Sequence, residues 1–331
     1  MKAVLHTRFG SSDELHLSEV EKPIPKANEV LIKIHATAVT TSDCNIRNLT
    51  FVPKLFFLPL RLFVVGVFRP RIPILGIDLA GEIETVGKDV KRFKKGDQVF
   101  GTSEPVFGCH AEYICLSEYS GLTMRSINIS WEEAASIPLA ASTALYFIRE
   151  LGNIHSGQKI LINGASGGIG IFAVQLAKFY GAEVTGVCST TNLEMLKFLG
   201  ADKVIDYTKE DFTKNGETYD VIFDVVGKTS FSRCKKSLKE KGIFLVTVPK
   251  LTYILQILRT SIIGSKKVIL GNAVAKVENL LFLTELIKAG NIKTVIDRCY
   301  PLEQTAEAFS YVEKGHKKGN VVITINHTNR N

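Results

Sequence analysis

A glycine-rich loop is the part of the sequence whose residue types and spacing point most directly to chemistry. The loop follows an apolar stretch that predicts a buried strand (159–163) and precedes a helical pattern (169–180). Glycines let the backbone approach a diphosphate, and a helix N-terminus offers it unpaired N–H groups. The spacing predicts a dinucleotide-binding loop with Ala165 in place of the first glycine, and a ligand-free turn is the alternative. The loop residues are Gly164, Ala165, Ser166, Gly167, Gly168, Ile169 and Gly170.

The end of the next predicted strand bears on which dinucleotide binds. An NAD site typically carries Asp or Glu there, which holds the ribose hydroxyls. Here Cys188 is followed by Ser189, Thr190, Thr191 and Asn192. Hydroxyl and amide groups can hydrogen-bond a 2′-phosphate that a carboxylate would repel, so the sequence favours NADPH over NADH. Alternatively, the last three residues only cap the next helix, and both roles are compatible.

Regular alternation of strands and helices positions these residues. Continuous apolar strands between helices are typical of a parallel sheet covered on both faces, so the fold class is α/β with a Rossmann doubly wound sheet. The predicted strands are 159–162, 183–188, 203–206, 220–226 and 243–248, and the predicted helices are 169–180 and 192–199.

The rest of the chain predicts a second domain. Short β-rich segments separated by glycine turns fill residues 1–120, which is typical of a partly closed β-barrel. Helices at 277–289 and 302–312 and a strand at 320–325 are too few to fold alone, so we expect them to complete this domain. The predicted division is 1–125 with 269–331 for the barrel domain and 126–268 for the Rossmann domain.

The segment between the two patterns predicts two helices. Ser130 followed by Glu133 matches a capping box and predicts a helix start. Pro138 is expected to interrupt that segment, and a second helix is predicted over 142–151.

Composition and charge narrow the class of protein. The 331 residues are 45% hydrophobic and 22% charged, which indicates two globular domains. A net charge of +8 could indicate a nucleic-acid or acidic-membrane partner, but no block of five like charges occurs. A basic enzyme with anionic ligands, and no nucleic acid, is favoured. Six scattered cysteines and an N-terminus without an apolar signal core predict a cytoplasmic location.

One strongly apolar segment, 51–68, needs its own interpretation. Lys54, Arg61, Pro53 and Pro59 interrupt it, so a membrane-spanning helix is not expected. It could cover an apolar acceptor site or make a peripheral membrane or dimer contact, and ordinary core packing is the simpler alternative.

The chain resembles the zinc-independent, quinone-oxidoreductase-like branch of the medium-chain dehydrogenase/reductase superfamily over nearly its whole length. The resemblance implies a GroES-like catalytic domain, formed by both ends of the chain, and an NADP-binding Rossmann domain. The matching segments are AVTTSD (38–43), ILGIDLAG (74–81), VG (86–87), GDQVFG (96–101), AEY (111–113), ASGGIG (165–170), GAD (200–202) and VIDY (204–207).

The same resemblance predicts that no metal is bound. Zinc-dependent relatives carry cysteine where this chain has Thr40, His-Glu where it has Ile77-Asp78, and a further cysteine near Leu139. Zinc needs three or four nitrogen or sulfur ligands. Alcohol oxidation by a zinc dehydrogenase is therefore not expected.

The resemblance also implies the residues of the site. Thr40, Asp43 and Thr143 are expected near the nicotinamide, and Arg47 is a candidate for binding an anion. A structural ion pair is the alternative for Asp43 and Arg47. The remaining expected cofactor contacts are the loop residues 165–170, Ser189, Thr190, Asn192, Tyr207, Val226, Gly227, Val248 and Asn320.

The predicted reaction is hydride transfer from NADPH to a quinone or an α,β-unsaturated carbonyl, which needs positioning and stabilisation of a developing oxyanion. Two alternatives stay open: an enoyl-thioester reductase, and a cofactor-binding protein with little catalysis. Relatives of this kind are often dimers, so a homodimer is possible.

Overall fold

The computed structural model describes residues 1–48, 70–126, 128–248, 253, 256–257, 259–260, 264–273 and 275–327. The apolar segment 51–68 lies outside the described residues, so its predicted role is untested. Within the described part of the chain, no helix is both long and apolar enough to cross a membrane.

The described residues form fifteen strands, which are numbered in chain order. They are β1 (Lys2–His6), β2 (Leu15–Glu19), β3 (Glu29–Val39), β4 (Asp78–Val86), β5 (Gln98–Thr102), β6 (Tyr113–Ser117), β7 (Gly121–Met124), β8 (Lys159–Asn163), β9 (Glu183–Cys188), β10 (Lys203–Asp206), β11 (Tyr219–Asp224), β12 (Leu238–Val246), β13 (Lys267–Leu270), β14 (Ile296–Pro301) and β15 (Asn320–Thr324).

The α-helices are α1 (Thr41–Asn48), α2 (Trp131–Ala135), α3 (Pro138–Leu145), α4 (Gly168–Phe179), α5 (Leu193–Phe198), α6 (Phe231–Cys234), α7 (Val277–Lys288) and α8 (Thr305–Glu313). Short 3₁₀ turns occupy Ser12–Glu14, Thr190–Asn192, Lys235–Ser237 and Leu302–Gln304, and Tyr146–Leu151 is a π-helical turn.

The first compact unit comprises residues 1–139, 275–284 and 296–331. Its main sheet has the order β14-β15-β3-β4-β5-β7, and β6 pairs with β3. The C-terminal strand β15 lies antiparallel to β3, with Val321 opposite Val39. Alternate residues of β3, namely Val30, Ile32 and Ile34, are fully buried in the core of this unit. The N-terminal strand β3 and the C-terminal strand β15 are therefore neighbours in one sheet.

The second compact unit comprises residues 140–274 and 285–295. Its six strands have the order β10-β9-β8-β11-β12-β13, and all pair in parallel. Leu161, Ile222 and Phe244, on three neighbouring strands, are fully buried. This confirms the predicted doubly wound parallel sheet, because helices on both faces require apolar strands throughout.

The structure changes three of the predicted elements. Pro138 does not interrupt a helix but begins α3, where a missing N–H costs nothing. The predicted helix 142–151 is therefore α3 followed by the π-helical turn. The predicted strand 243–248 starts earlier, at Leu238, because Lys241 adopts a φ of 64° and the pairing register with β11 shifts there. The capping box is confirmed, since Ser130 and Glu133 bond each other's backbone N–H groups.

Candidate active site

The carboxyl ends of four neighbouring strands meet at one edge of the second unit's sheet. Asn163 at the end of β8 lies opposite Asp224 of β11 and Val187 of β9, and Cys188 lies opposite Asp206 of β10. The strand order reverses between β8 and β11. In open α/β sheets, ligands bind outside the carboxyl ends of the strands at such a switch point.

The glycine-rich loop leaves β8 at this point and is tightly folded. A Cβ atom on Gly170 would lie 2.3 Å from the Gly164 carbonyl oxygen, and one on Gly164 would lie 2.5 Å from a Val226 methyl carbon. Gly167 differs, because the nearest atom to a Cβ there would be 3.5 Å away. Gly167 is also the N-cap of α4, and as a glycine it makes no side-chain cap hydrogen bond to the helix terminus. The loop therefore offers backbone N–H groups and open space, which fits a diphosphate.

Asp224, at the end of β11, holds the loop that follows it (225–229) through hydrogen bonds. Its carboxylate accepts hydrogen bonds from the Asn163 amide (2.9 Å) and the backbone N–H groups of Gly227 (3.1 Å) and Thr229 (3.2 Å). Burial raises the pKa of Asp224. These bonds hold Val226, which is 44% exposed, beside the glycine-rich loop. No local pattern in the sequence indicates this role of Asp224 in holding the loop.

Val248 joins the same edge. A Cβ atom on Gly227 would lie 3.1 Å from a Val248 methyl carbon. The Thr247 hydroxyl donates to the Val225 carbonyl oxygen at 3.1 Å. The three predicted contacts Val226, Gly227 and Val248 are therefore brought together.

The predicted 2′-phosphate residues also lie together, at the ends of β9 and β10. Asn192 donates its amide to the Ser189 hydroxyl (3.3 Å). The Thr190 hydroxyl donates to the Asp206 carboxylate, which also accepts from the Thr208 hydroxyl (2.7 Å). These two hydroxyls lower the pKa of Asp206 to about 2. Thr190 therefore bonds the Asp206 carboxylate, and the sequence did not indicate that Asp206 lies at this site.

The sequence left open the alternative that these residues only cap the next helix, and the Asn192 side chain does not do so. Asn192 occupies the N-cap of α5 without making a side-chain cap hydrogen bond. Tyr207, 54% exposed, follows Asp206 and donates its backbone N–H to the Cys188 carbonyl oxygen at 3.1 Å. The exposed ring therefore stands next to the end of β9.

In the first unit, Thr40 and Asp43 bond each other where β3 runs into α1. The Thr40 hydroxyl and N–H donate to the same Asp43 oxygen at 2.6 and 2.8 Å, and the Asp43 N–H donates to the Thr40 hydroxyl at 3.2 Å. The exchange is a capping box, which holds the half-buried Thr40 hydroxyl in one orientation.

Arg47 has a different environment from the one expected for an anion-binding residue. It is fully buried, and its guanidinium bonds Glu313 and the Asn48 amide oxygen (3.1 Å). It also lies over the Phe309 ring, 5.3 Å from the centroid. This geometry favours the structural ion pair over a role in binding a substrate anion.

The resemblance compares Asp78 and Leu139 with the zinc-site positions of zinc-dependent relatives, and here these two residues are hydrogen-bonded to each other. The Leu139 N–H, in the first turn of α3, lies 3.1 and 3.3 Å from the two Asp78 oxygens. In the described part of the chain, no group of three His, Cys, Asp or Glu side chains could hold a metal ion.

Two further predicted contacts are buried. Thr143 lies on α3 and is 8% exposed. Asn320 begins β15 and is 5% exposed, and its amide nitrogen has no hydrogen-bond partner within the described residues.

Two family descriptions match the chain in separate parts. Residues 26–128 match the alcohol dehydrogenase GroES-like domain. Residues 199–323 match the family described as zinc-binding dehydrogenase.

Similar proteins cover nearly the whole chain. A chloroplastic quinone-oxidoreductase homolog of Spinacia oleracea is 33% identical, with 98% of each chain covered. A 2-methylene-furan-3-one reductase of Solanum lycopersicum is 36% identical over 98% of this chain and 79% of its own length. The solved structure of the quinone oxidoreductase from Coxiella burnetii superposes with a TM-score of 0.87 at 29% identity, covering 98% and 99% of the two chains.

Proposed function

The chain belongs to the quinone-oxidoreductase-like branch of the medium-chain dehydrogenase/reductase superfamily, and we propose that it transfers hydride from NADPH to a quinone or an α,β-unsaturated carbonyl. The glycine-rich loop at the switch point of the parallel sheet is the observation that carries the proposal. One relative is named for a furan-3-one bearing a methylene group, which is such an unsaturated carbonyl.

The loop residues 165–170 would hold the diphosphate, with Val226, Gly227 and Val248 beside them. The bound cofactor would supply the hydride. Thr40, Thr143 and Asn320 are proposed contacts for the nicotinamide end. Because such acceptors need only orientation and stabilisation of an oxyanion, this chain's task is to bind and position.

We infer that no zinc takes part. Support comes from the residue types at the relatives' ligand positions, where Thr40, Ile77 and Leu139 offer no soft or nitrogen ligand.

The preference for NADPH is proposed to come from Ser189, Asn192 and Tyr207. We expect Ser189→Asp to weaken NADPH binding about 10- to 100-fold, because a carboxylate there would face the 2′-phosphate. NADH binding should be unchanged or tighter. Quenching of intrinsic fluorescence would give both dissociation constants.

Ser189→Asn is the matched control, since it has nearly the same shape as Asp without the charge. Equal losses of NADPH affinity in both variants would show that size, and not charge, governs this position.

The reaction is tested by following NADPH oxidation with a panel of acceptors: a naphthoquinone, an aromatic ortho-quinone, a 2-alkenal and an enoyl thioester. We expect turnover of a quinone or the alkenal, faster with NADPH than with NADH. Fastest turnover of the enoyl thioester would select the thioester reductase instead. NADPH binding without turnover of any acceptor would favour the binding protein.

Further proposals concern the substrate, the partners and the cellular location of the protein. We propose a small apolar substrate and no nucleic-acid partner, and a homodimer is tested by light scattering. The predicted cytoplasmic location is tested by cell fractionation, because the spinach relative is named as chloroplastic.

A further inference from the structure

The parallel sheet brings a carboxyl group to the end of β9, where the local sequence has none. The residues that follow β9, from Ser189 to Asn192, include no acid. Asp206, at the end of β10, lies opposite Cys188 at the end of β9. Asp206 is 8% exposed, whereas Thr190 is exposed, and their side chains bond each other. An acid from the neighbouring strand therefore contacts the segment proposed to bind the 2′-phosphate.

Both oxygens of the Asp206 carboxylate accept hydrogen bonds. Oδ1 accepts from the Thr208 N–H at 3.0 Å and from the Thr208 hydroxyl at 2.7 Å. Oδ2 accepts from the Thr190 hydroxyl and lies 3.7 Å from the Lys209 Nζ. Because the two hydroxyl groups lower the pKa of Asp206 to about 2, the carboxylate is charged at neutral pH and can only accept.

This carboxylate fixes the direction of the Thr190 hydroxyl. A threonine hydroxyl has one proton and two acceptor lone pairs. The Thr190 proton points to Asp206, so the Thr190 oxygen can only accept from a further partner. The Thr208 hydroxyl lies 3.4 Å from that oxygen but gives its own proton to Asp206. A 2′-phosphate dianion offers acceptors alone, whereas a ribose hydroxyl can donate, so Thr190 matches the ribose hydroxyl.

We propose, on the basis of the proposed function, that Asp206 determines cofactor specificity by limiting the preference of the site for NADPH over NADH. It acts through Thr190, whose oxygen accepts the 2′-hydroxyl of NADH and offers no proton to the 2′-phosphate of NADPH. In NAD sites, an acid at the end of the second strand holds the ribose hydroxyls directly. Here the carboxylate comes from the next strand and acts through one hydroxyl, so Asp206 is a positioning residue.

Asp206→Asn tests the proposal, because it should reverse the Thr190 hydroxyl. The Thr208 N–H can only donate, so it keeps the amide oxygen on its side. The amide N–H groups then face Thr190, which accepts from them and turns its proton outward. We expect the ratio of the NADH dissociation constant to the NADPH dissociation constant to rise about tenfold, because NADPH gains a donor and NADH loses an acceptor. Calorimetry without an acceptor substrate measures both constants.

Thr190→Val separates an effect through the hydroxyl from the charge of Asp206 itself. The variant keeps nearly the same side-chain shape without the hydroxyl, so it should weaken NADH binding more than NADPH binding. In the Thr190→Val background, Asp206→Asn should change the ratio by less than about twofold.

Asp211→Asn is the matched control. The Asp211 carboxylate accepts from the Thr213 N–H and hydroxyl at 3.0 and 2.7 Å, the same distances that join Asp206 to Thr208. It has no contact with Thr190 among the hydrogen bonds of the described residues. The control should therefore leave both dissociation constants unchanged.

The ratio of dissociation constants separates this inference from the proposed reaction, because it needs no turnover. An unchanged ratio in Asp206→Asn, or a rise that persists in the Thr190→Val background, would overturn the inference. A rise that requires Thr190 would support it even if the wild type reduced no acceptor, a result that would contradict only the proposed reaction. If the wild type bound neither cofactor, both the inference and the proposed function would be wrong.

Discussion

Removal of the Glu313 carboxylate will destabilise the protein by about 2–3 kcal/mol, because it leaves the Arg47 guanidinium buried without a counter-charge. Arg47 is fully buried, and Glu313 is its charged partner at 29% side-chain exposure. The loss is expected below that of a fully buried pair, since water reaches the Glu313 side. Urea denaturation of Glu313→Ala would measure the free energy of unfolding.

The double variant Arg47→Met/Glu313→Ala serves as the control. An apolar side chain of similar length can pack against Phe309, so the double variant should recover much of the lost stability. A double variant less stable than Glu313→Ala would show that the guanidinium has other essential contacts.

The two glycines of the cofactor loop will respond differently to alanine. For Gly167→Ala we expect unfolding free energy within about 0.5 kcal/mol of wild type, because the new methyl group meets no atom closer than 3.5 Å. NADPH affinity should fall at least about tenfold, since the second glycine of this motif lets the backbone approach the diphosphate. Calorimetry gives the affinity, and urea denaturation gives the stability.

Gly170→Ala should instead destabilise the protein itself by about 1–3 kcal/mol. Its Cβ atom would lie 2.3 Å from the Gly164 carbonyl oxygen and 2.7 Å from two Ala165 backbone atoms. This glycine allows the first turn of α4 to pack closely against the start of the loop that follows β8. If Gly167→Ala kept full NADPH affinity, the loop would not be the diphosphate site.

The fold followed largely from local patterns. Apolar strands alternating with helices indicated the parallel sheet, and Ser130 with Glu133 indicated the start of α2. Both signals depend on neighbours within a few residues, so they can be read from sequence. The predicted strand 243–248 was wrong at its start because Lys241 takes a positive φ inside β12, which no periodicity reveals.

The candidate site was predicted in part. The glycine-rich loop and the residues Ser189, Asn192 and Tyr207 were named from the sequence and its resemblance to the family, and the structure gathers them at one sheet edge. The Asp206 bond to Thr190 and the Glu313 partner of Arg47 were not foreseen. Their separations of 16 and 266 residues explain why, because no local pattern connects them.

The sequence by itself determined the parallel sheet, the glycine-rich loop between β8 and α4, and the residue types at Thr40, Ile77 and Leu139 on which the proposal of a zinc-free site rests. Only the tertiary structure decided that Arg47 pairs with Glu313 and that the Asp78 carboxyl accepts the Leu139 N–H, across 61 residues. The physical reason is that strand register and helix packing set which distant side chains meet. Burial then shifts the pKa of such a group, as it raises the pKa of Asp78 well above its usual range.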